Sequence, residues 1–179
     1  MTQPVTPPMT LPWKTALQHQ YVAALDMLEN AINAFPAAVW DDAATPVPQR
    51  FWYLAYHTLF WLDYYLAERE QGFAPPAPYT LGELDPAGVY PEHAYSKLEL
   101  LAYLAHGRDK LRRSIESLTE ARAAERCGFA SREMSVFELR LYDMRHVQHH
   151  TAQLNLVLRQ RANSAPRWVG RGSLAPGDE

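Results

Sequence analysis

Residues 135–153 read Ser135-Val136-Phe137-Glu138-Leu139-Arg140-Leu141-Tyr142-Asp143-Met144-Arg145-His146-Val147-Gln148-His149-His150-Thr151-Ala152-Gln153. Ser135 with Glu138 three residues later has the spacing of a capping box. Two neighbouring stripes at helical spacing follow. One, Val147, Leu154 and Leu158, is apolar. The other, Leu139, Asp143, His146, His150, Gln153 and Val157, is polar in its middle. The pattern predicts a helix to about Arg161, with Arg159 and Arg161 at the negative pole of its dipole. Polar groups beside an apolar stripe are drawn into the interior and need partners there.

Three further segments carry helical periodicity. Trp13 to Phe35 places Tyr21, Leu25, Leu28 and Ile32 on one stripe, and Pro36 closes it. The second helix is expected after Thr45, with Pro46 and Pro48 in or before its first turn, through Phe51–Glu70 to a stop at Gly72. Apolar and aromatic residues surround it almost completely, so it is central or partly buried in a subunit interface. The third opens on a capping-box spacing, Ser96-Lys97-Leu98-Glu99. It continues through Leu100, Leu104, Leu111, Ile115 and Leu118, with Gly107 marking close packing. Residues 72–95 are rich in Pro, Gly and Tyr and have no period, and a loop of that length is often functional. The reading is all-α: a four-helix bundle over 13–162 with a long crossover between helices two and three. Irregular segments are expected at 1–12 and 163–179. Spacing alone suggests simple up-down alternation.

Composition narrows the function. The chain has 179 residues, enough for one domain with a substantial core. A net charge of −3 gives no footprint for nucleic acid. The single cysteine, Cys127, excludes an internal disulfide and a Cys-based zinc cage. The N-terminus lacks the basic start and apolar core of a signal peptide, and the most apolar stretch, 51–66, is short and interrupted by His57 and Asp63. A cytoplasmic protein that binds neither nucleic acid nor membrane is expected.

The histidines carry the chemistry. His146 and His150 on a helix lie roughly 40° and about 6 Å apart, close enough to share one metal ion. His57, inside the aromatic second helix, offers a third ligand. Three histidines leave a divalent metal one open position. Asp143 and Gln153, on the same face, are the groups expected to orient the rings or hold a metal-bound ligand. His149 also reaches His146's face at i+3 but points away from Gln153, so His150 is favoured. The competing reading is of hydrogen-bonded or surface histidines, as for His19, His93 and His106. Tyr56, Tyr90 and Trp52 are candidate pocket walls, with ordinary core packing as the alternative. No His-Glu-x-x-His, paired Glu-x-x-His or glycine-rich phosphate loop is present.

With His57 in Tyr56-His57-Thr58-Leu59-Phe60-Trp61, the Tyr95-Ser96 start of helix three and His146-x-x-x-His150-x-x-Gln153, the chain resembles the DinB-like (DinB/YfiT) superfamily over roughly 13–161. The resemblance implies up-down-down-up connectivity in place of simple alternation. It further implies a divalent metal, zinc or nickel, on His57, His146 and His150, and a homodimer. It points to a metal-dependent enzyme acting on a small molecule, a thiol S-transferase with a low-molecular-weight thiol as co-substrate. The alternatives are a metal-dependent hydrolase and a non-catalytic binding or stress-response protein with a structural metal.

Overall fold

The computed structural model describes residues 12–173. Among them the regular structure is helical: α1 (Pro12–Ala34), α2 (Phe51–Leu66), α3 (Lys97–Ser117), α4 (Glu120–Ala124) and α5 (Val136–Ala162). Short 3₁₀ turns occupy Ala37–Val39, Val47–Gln49 and Leu81–Leu84. Two isolated backbone bridges, Arg69–Gly128 and Arg126–Ser135, are the only β-type pairings among the described residues. Of the expected N-terminal irregular segment, 1–11 lies outside the described residues, and Pro12 already opens α1.

Both capping signals form. Ser96 Oγ accepts from Glu99 N at 3.2 Å while Glu99 Oε2 accepts from Ser96 N at 2.7 Å. Ser135 Oγ accepts from Glu138 N at 3.1 Å, so α5 starts where its sequence marks it. The helix ends on Asn163 in the left-handed conformation (φ 51°).

The second helix is shorter than its apolar run suggests, ending at Leu66 rather than Glu70. Long-range partners stop it. Glu68 turns left-handed (φ 64°), its carbonyl accepts from Gly128 N at 2.7 Å, and its carboxylate takes Arg122 at 2.6 Å and the fully buried Arg140. Helix α4, capped by Thr119 Oγ1 on Arg122 N at 3.1 Å, lies where periodicity indicated no helix.

The principal packing contacts are α2 with α5 and α3, and α1 with α5 and α3. Tyr21, Leu25, Leu28 and Ile32 are fully buried, as their stripe requires. So are Ala55, Phe60 and Leu62 of α2, which makes that helix central within this chain. A Cβ on Gly107 would stand 2.7 Å from Leu62 Cδ2, so α3 and α2 touch there as closely as glycine allows.

Specific pairs set the register. Lys97, opening α3, donates to Asn33 O and Phe35 O at 2.9 Å, whereas Lys14, opening α1, reaches Glu116 O at 3.0 Å. Tyr95, just before α3, packs beside Trp52, while Tyr103 further along donates to Asp63 at 3.1 Å. Tyr65 packs on Tyr142, and His57 on His150. Trp13 meets Phe137, and Tyr21 meets Asp143.

The 72–95 crossover is held from inside. Tyr79 stacks on Tyr103 with centroids 4.0 Å apart, and its hydroxyl donates to Glu99 O at 2.7 Å. That anchor delivers the 3₁₀ turn Leu81–Leu84 to the outer face of α2. The C-terminal segment is irregular through 173 but seated: Gly172 N donates to His19 O at 3.0 Å, with Val22 and Ala23 atoms 2.6–2.7 Å from where its Cβ would be. Trp168 stays 71% exposed, and 174–179 lie outside the described residues. No helix among the described residues is long and apolar enough to cross a membrane.

Candidate metal centre

Helices α2 and α5 bring three imidazoles together. One ring nitrogen each from His57, His146 and His150 lies within 4.8 Å of the others. Ring centroids are 5.5 Å apart for His57–His146, 4.9 Å for His57–His150 and 4.5 Å for His146–His150. A tetrahedral ion with bonds of about 2.0–2.1 Å holds its nitrogens roughly 3.4 Å apart. Small side-chain rotations would close the set. All three rings are partly buried, and His149 faces solvent.

The outer nitrogens decide which atoms remain free. His57 Nδ1 lies 2.7 Å from Glu83 Oε2, and His150 Nδ1 lies 2.7 Å from Gln153 Oε1. His146 Nδ1 is buried and has no partner among the described residues. His57 and His150 therefore have Nε2 left over, His146 has both ring nitrogens without a partner among the described residues, and the donor set is the one a divalent transition metal uses. A carboxylate or carbonyl on the far nitrogen fixes ring orientation and tautomer.

Glu83 is the hub of that outer layer. Its side chain is 4% exposed, and it also accepts from Tyr53 Oη at 2.6 Å and Trp61 Nε1 at 3.2 Å. Burial pushes its carboxyl up, but hydrogen bonds from His57 and Tyr53, the nearby His57 charge and the Trp61 bond together hold it below the ordinary carboxylate value. It stays ionised where it faces His57. The imidazoles are biased the other way. Burial, reinforced by the neighbouring histidines, lowers His146 to about 3. Burial also lowers His150, against the Gln153 hydrogen bond. Both are neutral at pH 7, the form that ligates.

Asp143 points elsewhere. It is fully buried between α5 and α1, its Oδ2 accepts from Tyr21 Oη, and its Oδ1 has no partner among the described residues. Burial raises its carboxyl well above the ordinary value. Trp52 and Tyr56 are buried core residues, 2% and 1% exposed. Tyr90 is 45% exposed and packs edge-on against Tyr53 at 5.2 Å.

Glu83 is the residue that the spacing argument passed over. It belongs to the aperiodic crossover and comes 26 residues after His57. Its only local signal is an acid set between Leu81 and Leu84 just after Thr80, whose Oγ1 accepts from Gly82 N at 3.4 Å.

Three imidazoles converging from two helices of an all-helical chain define a candidate metal-binding helical protein. The family model for the DinB superfamily matches residues 20–154, which include all three histidines, and the chain belongs to that superfamily. Neither a curated protein nor a solved structure matches the chain.

Proposed function

We propose that the protein is a metal-dependent enzyme acting on a small molecule, with thiol S-transfer ahead of hydrolysis and zinc or nickel on His57, His146 and His150. The observation that carries this reading is the set of three imidazoles with Nε2 free, two of them held from behind by Glu83 and Gln153. A divalent metal there would lower the pKa of a bound thiol or water and so make it a nucleophile at neutral pH.

The chain's own residues do the positioning. Glu83 accepts the His57 Nδ1 proton, which commits that ring to offering Nε2. Gln153 does the same for His150. Burial keeps His146 and His150 unprotonated. Asp143 acts at one remove, bracing the inner side of α5 through Tyr21.

Up-down-down-up connectivity is part of the same reading. It is supported by the end-to-end pairing of α1 with α3, the matched order of α2 and α3 contacts, and the opposed order of α2 and α5. A homodimer acting in the cytoplasm completes it. Since most of the aromatics of α2 are buried within one chain, with Tyr53 and Trp61 partly so, the dimer would use other faces.

Cobalt(II) substitution tests the reading. The loaded protein should show tetrahedral visible bands, and 2-mercaptoethanol should add a near-ultraviolet thiolate-to-cobalt band. Cobalt binding without any thiol band would remove thiol transfer and leave hydrolysis or a structural metal.

A further inference from the structure

Close to His146 stands a cation without a carboxylate partner among the described residues. Arg132 lies between α4 and α5 in a turn that is tied down: its N–H donates to Phe129 O at 3.2 Å, and its carbonyl receives the Cys127 thiol at 3.8 Å. Its guanidinium carbon is 4.4 Å from the ring centre of Tyr142 and 4.9 Å from that of Tyr65, and Nη2 donates to Tyr65 Oη at 2.7 Å. The Tyr65 ring in turn is 6.1 Å from the His146 ring. Tyr142 precedes His146 by one helical turn.

Among the described residues Arg132 forms no ion pair. Its neighbours Arg126 and Arg140 are matched to Glu133 and Glu68, and Glu70 is engaged with Ala130 N. Contact with two tyrosine rings holds a half-buried guanidinium in place without discharging it. The two rings stand at 86° to one another, so at most one lies flat on a guanidinium face, and Tyr65 uses one N–H. One complete two-donor edge remains, which matches a planar carboxylate.

A groove of about 500 Å³ runs along α5 from Tyr142, whose ring packs against Arg132, to His146. It is lined by Tyr142, Arg145, His146, Gln148, His149 and Ala152 of α5. Arg145 also lacks an ion pair among the described residues, so the groove carries positive charge and no acid.

We infer that the substrate of the three-histidine site carries a carboxylate, which the free edge of Arg132 holds while another atom of the same molecule reaches the metal. The inference rests on the metal-dependent reading above and makes Arg132 a specificity-determining residue. A carboxylate in this place would replace the missing counter-charge.

The test uses cobalt-loaded, full-length protein and two probes with the same thiol skeleton, 3-mercaptopropionate and its methyl ester. Affinities are read from the thiolate-to-cobalt band in wild type, Arg132→Gln and Arg132→Lys. The acid-to-ester affinity ratio should fall tenfold or more in Arg132→Gln and lie between the two in Arg132→Lys, with cobalt stoichiometry and ester affinity unchanged. An unchanged ratio in Arg132→Gln, with cobalt and both thiols bound, overturns the carboxylate inference alone. A wild-type protein that takes up no cobalt overturns the metal reading and this inference together.

Discussion

Replacing Glu83 with glutamine leaves the shape of the crossover nearly intact while removing the charge behind His57. The amide oxygen can still accept from His57 Nδ1, now 2.7 Å from a carboxylate oxygen. The same oxygen accepts from Trp61 Nε1 at 3.2 Å, so the amino group takes the other position, 2.6 Å from Tyr53 Oη. The tyrosine hydroxyl can rotate and accept from it, so no buried donor is stranded and the loss is that of the negative charge behind His57. Loss of a group orienting a metal-bound histidine typically weakens metal binding 10–100-fold, or about 1.4–2.7 kcal/mol. Exchanging charge-assisted hydrogen bonds for neutral ones costs the metal-free fold about 1 kcal/mol, and each such kcal/mol lowers Tm by roughly 2–4 °C at this size. Zinc affinity is measured by competition with a chromophoric chelator, below the melting transition of either protein. Glu92→Gln, which removes an exposed acid of the same crossover, serves as the control and should change nothing. Zinc affinity in Glu83→Gln within twofold of wild type would refute the claim that Glu83 orients a metal ligand.

Further outcomes follow from the packing and the titrating groups. Tyr21→Phe removes the one side-chain hydrogen bond that the buried Asp143 carboxyl accepts among the described residues and should cost about 1–3 kcal/mol in chemical denaturation; an unchanged midpoint contradicts this role. Gly107→Ala sets a methyl 2.7 Å from Leu62 Cδ2. Overpacking of about 1–3 kcal/mol outweighs a helix-propensity gain of about 1 kcal/mol, so Tm should fall rather than rise. In metal-free protein His146 titrates near 3 rather than 6.5, and His150 is also lowered. The unfolded chain therefore binds protons that the native state does not, and the stability due to these rings is lost as pH falls from about 6.5 towards 3. Asp143, raised by burial, contributes in the opposite sense, with stability lost as pH rises, and is common to both proteins compared. Melts at pH 7 and pH 5 should show a larger drop in wild type than in His146→Gln, and equal drops would contradict the burial argument.

The helices were legible where a local signal and a period coincided. Ser96 and Ser135 announce α3 and α5 through side-chain-to-backbone bonds a few residues long, which sequence displays directly. The candidate ligands were legible for a related reason: a polar middle in a core-spaced stripe, His146 to Gln153, stands out against Val147, Leu154 and Leu158. His57 was conspicuous in an apolar helix. What stayed hidden depends on distant partners. The end of α2 is dictated by Arg122, Gly128 and Arg140 acting on Glu68, so the apolar run overstates the helix. Asp143 looks like a companion of His146 by spacing, yet its hydroxyl partner is Tyr21, 122 residues away, on a stripe that reads as plain core. Glu83 and Arg132 sit in connections without a period, where position is set by Tyr79 and by the Cys127–Phe129 turn rather than by neighbours in sequence.

The central claim is one divalent metal ion held by His57, His146 and His150. Elemental analysis of untagged protein, reconstituted with zinc and freed of excess, tests it most directly. Wild type should carry one metal ion per chain, and His57→Ala and His150→Ala should each carry close to none while keeping helical circular dichroism. A wild-type protein without bound metal, or a folded His57→Ala or His150→Ala protein with its full complement, would contradict the account.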